Sequence, residues 1–423
     1  MDNKKSLNYL FSANAISGFA QGISMLAIPW YFNSLQLSTY FNLSYGVITI
    51  VIIFWGLYAG TLVDRYNRKK VFLYLNLICG LLFGIISIVG MAGWITSEAI
   101  HHLLIVSVFA ITMFNYNIHY PALYALGQEI TDASSYGKFN SRIEIVGQSV
   151  SILSGGIAAF MLEGLAYGQK IDVYFATYIL PFEIKPWSID FIIFINAVSH
   201  ILAVLFIYPI KYTFSLKPKA KETLHERLKL GFDYLKEHPY ILVFGLASYS
   251  VFAMLLVEIH AVLPGYIERH LHMGGAVFAV ADAVYAVGAL AAGLLVRKVF
   301  RASGVKSAVI LLTVITAFFF ICNTFTVSVM LTMLMSLVLG FTNAGIRVLR
   351  LTWLFEHVPN EVMGRVNSIF NMANLVFRFL FIFLFSIPVF HQANNIRWAY
   401  FVMAVFLILS ALVLIKRKNP KLL

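Results

Sequence analysis

Runs of apolar residues long enough to cross a bilayer alternate with short polar breaks over residues 8–33, 43–63, 70–92, 102–124, 139–163, 190–209, 239–263, 274–296, 305–323, 327–350, 363–388 and 395–415. A span needs about 20 residues at ~1.5 Å of rise each. Backbone polar groups inside lipid must be satisfied within the segment, so each run is predicted to be a helix. The pattern therefore predicts an all-α polytopic membrane protein with twelve transmembrane helices. Pro29, Pro121, Pro264 and Pro388 fall near the predicted segment ends, where a missing N–H costs little. The break at 210–238 has its own periodicity: Leu224, Leu228, Phe232 and Leu235 recur at helical spacing between Lys221, Arg227, Lys229 and Lys236. That spacing fits an amphipathic helix lying on a membrane surface, with a solvated linker as the other reading. It divides the chain into 1–209, a linker 210–238, and 239–423, with six spans on either side. The segment 164–189 is the other long break, and its sequence assigns it no role.

Composition agrees with a bilayer solvent. Of 423 residues, 60% are hydrophobic and 12% charged, against about 45–50% and about 25% in soluble domains. A formal charge of +12 in a soluble protein would point to nucleic acid, but the positions of the cations exclude that partner. With the N-terminus in the cytoplasm, 26 of the 31 basic residues fall on the inside. Lys170, Lys185, Arg269 and Arg397 face out and Arg378 lies within a span. This is the positive-inside skew, so the charge reports orientation. The N-terminal stretch through Lys4 and Lys5 leads into span one without a cleavage pattern, and Cys79 and Cys322 sit inside apolar runs as core residues.

The two halves resemble each other. Gly137-Lys138-Phe139-Asn140-Ser141 opens the fifth span and Gly364-Arg365-Val366-Asn367-Ser368 the eleventh, and the same offset sets Glu129 over Glu356. Gly60-Thr61-Leu62-Val63 closes span two as Gly293-Leu294-Leu295-Val296 closes span eight. The sharpest motif is Gly60-Thr61-Leu62-Val63-Asp64-Arg65-Tyr66-Asn67-Arg68-Lys69-Lys70. It resembles the Gly-x-Leu-x-Asp-Arg-x-Gly-Arg-Arg/Lys signature of the major facilitator superfamily, in the loop where that signature occurs. Asn67 stands where the family usually has Gly, a replacement that a left-handed turn tolerates. A basic stop-transfer loop would explain the cations but not Asp64 or Gly60. The resemblance implies two pseudo-symmetric six-helix bundles and a secondary transporter working by alternating access. It further implies that Asp64 latches to a cation or helix N-terminus in one state, with Gly60, Arg65 and Arg68 in the motif and Arg142 as a local partner.

Two further stretches resemble macrolide-efflux-like drug:proton antiporters. They are Tyr120-Pro121-Ala122-Leu123-Tyr124, which is also similar to an element of lysophospholipid transporters, and His357-Val358-Pro359-Asn360-Glu361-Val362-Met363-Gly364-Arg365-Val366. The resemblance implies an antiporter exporting a hydrophobic or amphipathic molecule against protons, with lysophospholipid or siderophore transport as the alternative. It also implies a monomer in the bacterial inner membrane with both termini cytoplasmic.

Ionisable groups within spans are costly and mark function or pairing. Four qualify. Glu258 lies ~28 Å along span seven, Asp282 ~12 Å into span eight and Arg378 ~22 Å along span eleven, while Glu144 lies a turn inside span five. In the family's geometry Asp282 and Arg378 can meet, either as a static ion pair or as a carboxylate whose protonation is exchanged against Arg378 or substrate. Glu258 reads equally as a rim residue in contact with water, and Glu144 as a partner of Arg142 or the Asp64 network. Spans one, four, seven and ten line the family's cavity, flanked by two, five, eight and eleven. Asn14, Ser17 and Gln21 share a face of span one; Asn115, Asn117 and Tyr120 mark span four; Tyr249 lies in span seven and Asn343 in span ten; Asn371 and Asn374 share a face of span eleven. Each has an ordinary reading as an inter-helix hydrogen-bonding group. As a set they suit a mostly apolar pocket with a few convergent polar groups. The sequence shows no His-Glu-x-x-His, Gly-x-Ser-x-Gly or Walker-type motif, so neither an intramembrane enzyme nor an ATP-driven pump is expected. No cofactor or metal is expected either, His101, His102, His270 and His272 being read as ordinary exposed histidines.

Overall fold

The computed structural model describes residues 2–131, 136–164, 170–173, 176–179, 183–212, 224–300 and 304–416. The first half contains α1 (Asp2–Ser34), α2 (Ser38–Arg65), α3 (Arg68–Met91), α4 (Glu98–Glu129), α5 (Tyr136–Glu163) and α6 (Ile189–Ile207). After it come α7 (Leu224–Glu237), α8 (Pro239–Val257), a π-helical turn (Glu258–Val262) and α9 (Leu263–Arg269). The chain continues through α10 (Gly275–Val299), α11 (Val305–Phe325), α12 (Val329–His357), α13 (Asn360–Phe385), a 3-10 turn (Pro388–His391) and α14 (Arg397–Lys416). Counting α8 to α9 as one span, 12 helices are long and apolar enough to cross a membrane. Within the otherwise unassigned 164–189 segment, β1 (Lys170–Val173) pairs antiparallel with β2 (Ala176–Ile179).

The polarity of the fold is inverted relative to a protein folded in water. Phe54, Leu294 and Met330 are 62%, 68% and 84% exposed, whereas Asn76, Asn196, His200 and Asn323 are fully buried. Apolar side chains turned outward are stable only against lipid. The buried polar groups link helices, as where Asn76 Oδ1 on α3 meets His200 Nδ1 on α6 at 2.9 Å.

Proline placement differs from the sequence expectation. Pro29 and Pro121 lie inside α1 and α4. Pro264 lies within span seven, which runs to Arg269. A proline removes an N–H and crowds the carbonyl four residues back. Here the backbone widens into the π turn Glu258–Val262 immediately before it, and such turns relieve a local break in the ladder. Pro388 lies beyond α13, in the 3-10 turn.

The linker helix forms as α7, with its apolar positions divided between a buried and an exposed side. Leu235 is buried, Phe232 is 59% exposed, and the side chains of Lys221, Leu224, Arg227 and Leu228 lie outside the described residues. The close contact runs through Gly231, where an added Cβ would sit 3.0 Å from Arg365 Cβ on α13.

By contacts the chain forms two compact units. The first comprises Met1–Leu37, Tyr58–Leu216 and Met273–Ala283; the second comprises Ser38–Leu57, Lys217–His272 and Val284–Leu423. One border falls in the linker, between Leu216 and Lys217, and others cut α2 and α10. In the first unit Phe278 at the start of α10 stacks on Trp30 of α1 at 5.8 Å. In the second, Asn42 of α2 donates to the Ala261 carbonyl at 3.2 Å, and the Tyr45 hydroxyl reaches that of Leu256 at 3.4 Å.

Candidate functional site

In the first unit the polar face of α1 is buried as a set: Asn14, Ser17 and Gln21 are 6%, 0% and 1% exposed. Ser17 turns back to the Ala13 carbonyl. Asn14 Oδ1 accepts from His119 Nε2 of α4 at 2.9 Å. The proton is then on Nε2, which leaves Nδ1 as an acceptor, and that atom is buried with no protein partner. His119 escaped the sequence reading because a lone histidine in an apolar run carries no spacing signal. Gln21 Nε2 and both amide atoms of Asn115 are likewise buried and without protein partners. Asn117 is occupied by the Met113 carbonyl at 2.9 Å, and Tyr120, 40% exposed, stacks on Tyr116 at 5.7 Å. Buried amides left unpaired by protein cost on the order of 1–3 kcal/mol each. Leaving several together is what a polar binding wall requires.

Asp282 belongs to this unit. Ser151 of α5 donates to its Oδ2 at 3.5 Å, a long contact, and Tyr116 lies within electrostatic reach. The approach of α5 to α10 is enforced by Gly155, where a Cβ would come 3.0 Å from Ala283 N. Asp282 therefore takes a neutral hydroxyl as its partner, and no cation pairs with it among the described residues.

Arg378 lies in the second unit, 6% exposed, and donates through Nη2 to the Tyr45 hydroxyl. His260, in the π turn, meets the Tyr45 ring edge-on at 5.6 Å and its Nδ1 bonds the Leu256 carbonyl at 3.0 Å. Glu258 opens the same turn. The rim reading fails for it: the residue is 2% exposed, and its Oε1 accepts from the Tyr400 hydroxyl at 2.9 Å. Asn343 donates to the Tyr285 hydroxyl at 2.8 Å. Asn374 is buried with Nδ2 unpartnered, while Asn371, on the same helix, is exposed.

Arg350 corrects the charge map drawn from sequence. Assigned there to the cytoplasmic cations, it is 4% exposed. Its Nη1 donates to the Ser248 carbonyl at 2.9 Å, with the guanidinium 3.5 Å over the ring of Tyr249. Tyr249 itself is buried and also meets Phe370 at 6.0 Å.

In the motif loop, Arg68 forms an ion pair with Glu129 at the end of α4, and Glu129 also accepts the Tyr212 hydroxyl. Asn67 is not left-handed. At φ −58° and ψ 112° it is the N-cap of α3, its side chain accepting from Lys70 N at 3.0 Å. Arg142 places its guanidinium 4.5 Å over Phe11. The side chains of Gly60, Asp64, Arg65 and Glu144 lie outside the described residues. Of the loop histidines, His101 Nε2 meets Asp190 at 2.9 Å, His102 packs on Tyr31 and Phe32, and His270 Nε2 meets the Thr326 carbonyl at 2.8 Å.

Twelve apolar helices, an inverted polarity and buried ionisable groups within the spans define a polytopic membrane protein with polar sites inside its helix packing. The chain belongs to the Major Facilitator Superfamily, whose family model matches residues 10–382. Among solved structures it is similar to an auto-inhibited POT family peptide transporter, at 11% identity and TM-score 0.72, covering 97% of this chain and 96% of that one. It is also similar to the nucleoside transporter NupG, at 13% identity and TM-score 0.70, covering 98% and 100%. A D-xylose-proton symporter is similar at 14% identity and TM-score 0.64, covering 98% and 96%. At these identities the likeness shows the fold alone. No curated protein matches the sequence. The family makes the chain an integral membrane protein and a secondary active transporter of a small molecule, not an enzyme.

Proposed function

We propose that this transporter exports a hydrophobic or amphipathic small molecule in exchange for protons, with Asp282 and Glu258 as the carboxylates that load and release them. The observation that carries the reading is the setting of Asp282, which faces a serine hydroxyl and, among the described residues, no cation. A carboxylate in an apolar bundle without a cation has little to hold it ionised, so proton gain and loss can follow the cycle. Glu258 accepts from the Tyr400 hydroxyl in a π turn of the second unit, and Arg378 and Glu144 complete the ionisable set. The candidate substrate contacts are Asn14, Gln21, Asn115, Asn117 and Tyr120 in the first unit and Tyr249, Asn343, Asn371 and Asn374 in the second. Two repeat-related halves, 1–209 and 239–423, joined by the linker 210–238, exchange access to these groups. Asp64 of the motif, with Gly60, Arg65, Arg68 and Arg142, sets the balance between states. The protein works as a monomer in a bacterial inner membrane with both termini in the cytoplasm, the orientation its basic residues favour.

The test is substrate-induced proton movement in proteoliposomes loaded with a pH-sensitive dye. Wild type moves protons when substrate is added, and Asp282→Asn combined with Glu258→Gln does not. Unchanged proton coupling in the double variant rejects the assignment. Lysophospholipid or siderophore transport is a second reading, and the setting of Arg350 favours it.

A further inference from the structure

Arg350 lies about two turns before the end of α12 at His357, some 10 Å inside the helix at ~1.5 Å per residue. An arginine at that depth ordinarily extends toward water or pairs with a carboxylate. This one does neither. Its guanidinium is turned inward onto α8, where it meets the Ser248 carbonyl at 2.9 Å and the face of Tyr249 at 3.5 Å. Both partners are neutral, and among the described residues no carboxylate reaches it. Arg347, one turn back, adds like charge. Nε is buried and has no partner. A buried cation whose partners are one carbonyl and one ring keeps most of its positive potential and is costly to hold there.

The surroundings show what could use that potential. Phe370 of α13 packs on Tyr249 at 6.0 Å. Asn374, one turn further along the same face of α13, is buried with a free Nδ2 donor. Trp353, one turn beyond Arg350, packs at a tilt on Phe244 at 4.1 Å. A buried guanidinium with an unpartnered Nε, lying over Tyr249 with Phe370 behind it, matches a carboxylate or phosphate attached to an apolar body. Arginine holds such groups through two parallel N–H donors, where lysine supplies a point charge.

We propose that Arg350 is an anion-recognition residue of the second unit and that the transported molecule is an amphipathic organic anion bearing a carboxylate or phosphate. This rests on reading the chain as a carrier of amphipathic molecules and narrows that class by charge. Tyr249 and Phe370 hold the apolar part.

The experiment is a binding series on the full-length protein in dodecyl maltoside, followed by tryptophan fluorescence and thermal shift. The probes share one chain length: octyl phosphate, octanoate, octanol and octylamine. For wild type the two anions bind at least tenfold more tightly than octanol, and octylamine binds no better than octanol. Arg350→Gln brings the anions to the octanol level and leaves octanol unchanged, while Arg350→Lys keeps part of the preference. Equal binding of octyl phosphate and octanol by wild type overturns the proposal, as does an intact preference in Arg350→Gln. If Arg350→Gln does not fold, the wild-type series and Arg350→Lys decide. Gradient-driven uptake of octylamine but not octanoate in proteoliposomes would leave the transporter reading standing and remove the anion inference.

Discussion

The crossing of α10 and α12 gives the most quantitative prediction. Gly288 and Gly340 face each other's helices there. An added Cβ at Gly288 would lie 2.9 Å from the Leu337 carbonyl carbon and 3.0 Å from Phe341 N; at Gly340 it would lie 2.8 Å from the Tyr285 carbonyl carbon and 3.0 Å from Ala289 N. The atoms met are backbone, which cannot rotate away, so Gly288→Ala must drive the helices apart by about 1 Å. A gap of that size forfeits a quarter to a half of the dispersion energy across the contact, here the small cluster of Ala289, Ala292 and Ala344 with Tyr285 and Phe341. It also stretches the 2.8 Å hydrogen bond from Asn343 to Tyr285 beyond useful length, a loss of about 1 kcal/mol. With overpacking at about 1–3 kcal/mol, the sum is ~2–4 kcal/mol. The control is Gly293→Ala on the same helix, where nothing lies within 4 Å and better helix propensity contributes about 0.5–1 kcal/mol of stability. In detergent thermal unfolding, Gly288→Ala is expected to melt roughly 2–5 °C below wild type, and Gly293→Ala no lower than wild type. A Gly288→Ala protein that melts with wild type refutes the close crossing.

Two further outcomes follow from loop geometry. His391 accepts from Arg269 Nη2 through Nδ1 at 3.4 Å and donates through Nε2 to the Phe385 carbonyl at 2.9 Å. Burial, then the Arg269 charge, pushes its imidazole down to about 4, the Phe385 carbonyl opposing. The unfolded chain therefore binds this proton first. Stability is fully present above pH ~6.5 and declines until about pH 4, by on the order of 1–2 kcal/mol after allowing for solvent at this half-buried site. His391→Gln should flatten that part of a melting-temperature profile, and an unchanged slope would exclude His391 as the cause. Asn67→Ala should cost about 1 kcal/mol through loss of the α3 cap, and Asn67→Gly only a few tenths; equal melting temperatures for the two variants would contradict the capping role.

Most of the fold was legible in the sequence because its signal is one of length and polarity. Twelve apolar runs sufficient to cross a bilayer can be read without side-chain geometry, and the matching helices end within seven residues of the predicted limits. The departures occur where local backbone chemistry competes with length, as at Pro264, which is absorbed by a π turn inside span seven instead of ending it. The site was legible only as an inventory. Asn14, Gln21 and Asn115 are buried polar groups as their helical positions suggest, but pairing depends on which faces meet. His119, Ser151, Tyr45 and Tyr400 became visible only once their partners were located. Arg350 was misassigned for the same reason: a cation near a span end reads as a membrane-surface charge until the direction of its side chain is known. Asn67 shows that a residue departing from a motif can still be explained by ordinary capping chemistry.

The central claim is that a buried carboxylate couples substrate movement to protons, and accumulation in proteoliposomes under an imposed pH gradient tests it most directly. The panel should hold amphipathic anions, cations and neutral molecules. Wild type is expected to concentrate at least one amphipathic substrate only while the gradient lasts, with Asp282→Asn folding normally but reduced to equilibration. Accumulation by Asp282→Asn at the wild-type level, or wild-type transport indifferent to the gradient, would contradict the account.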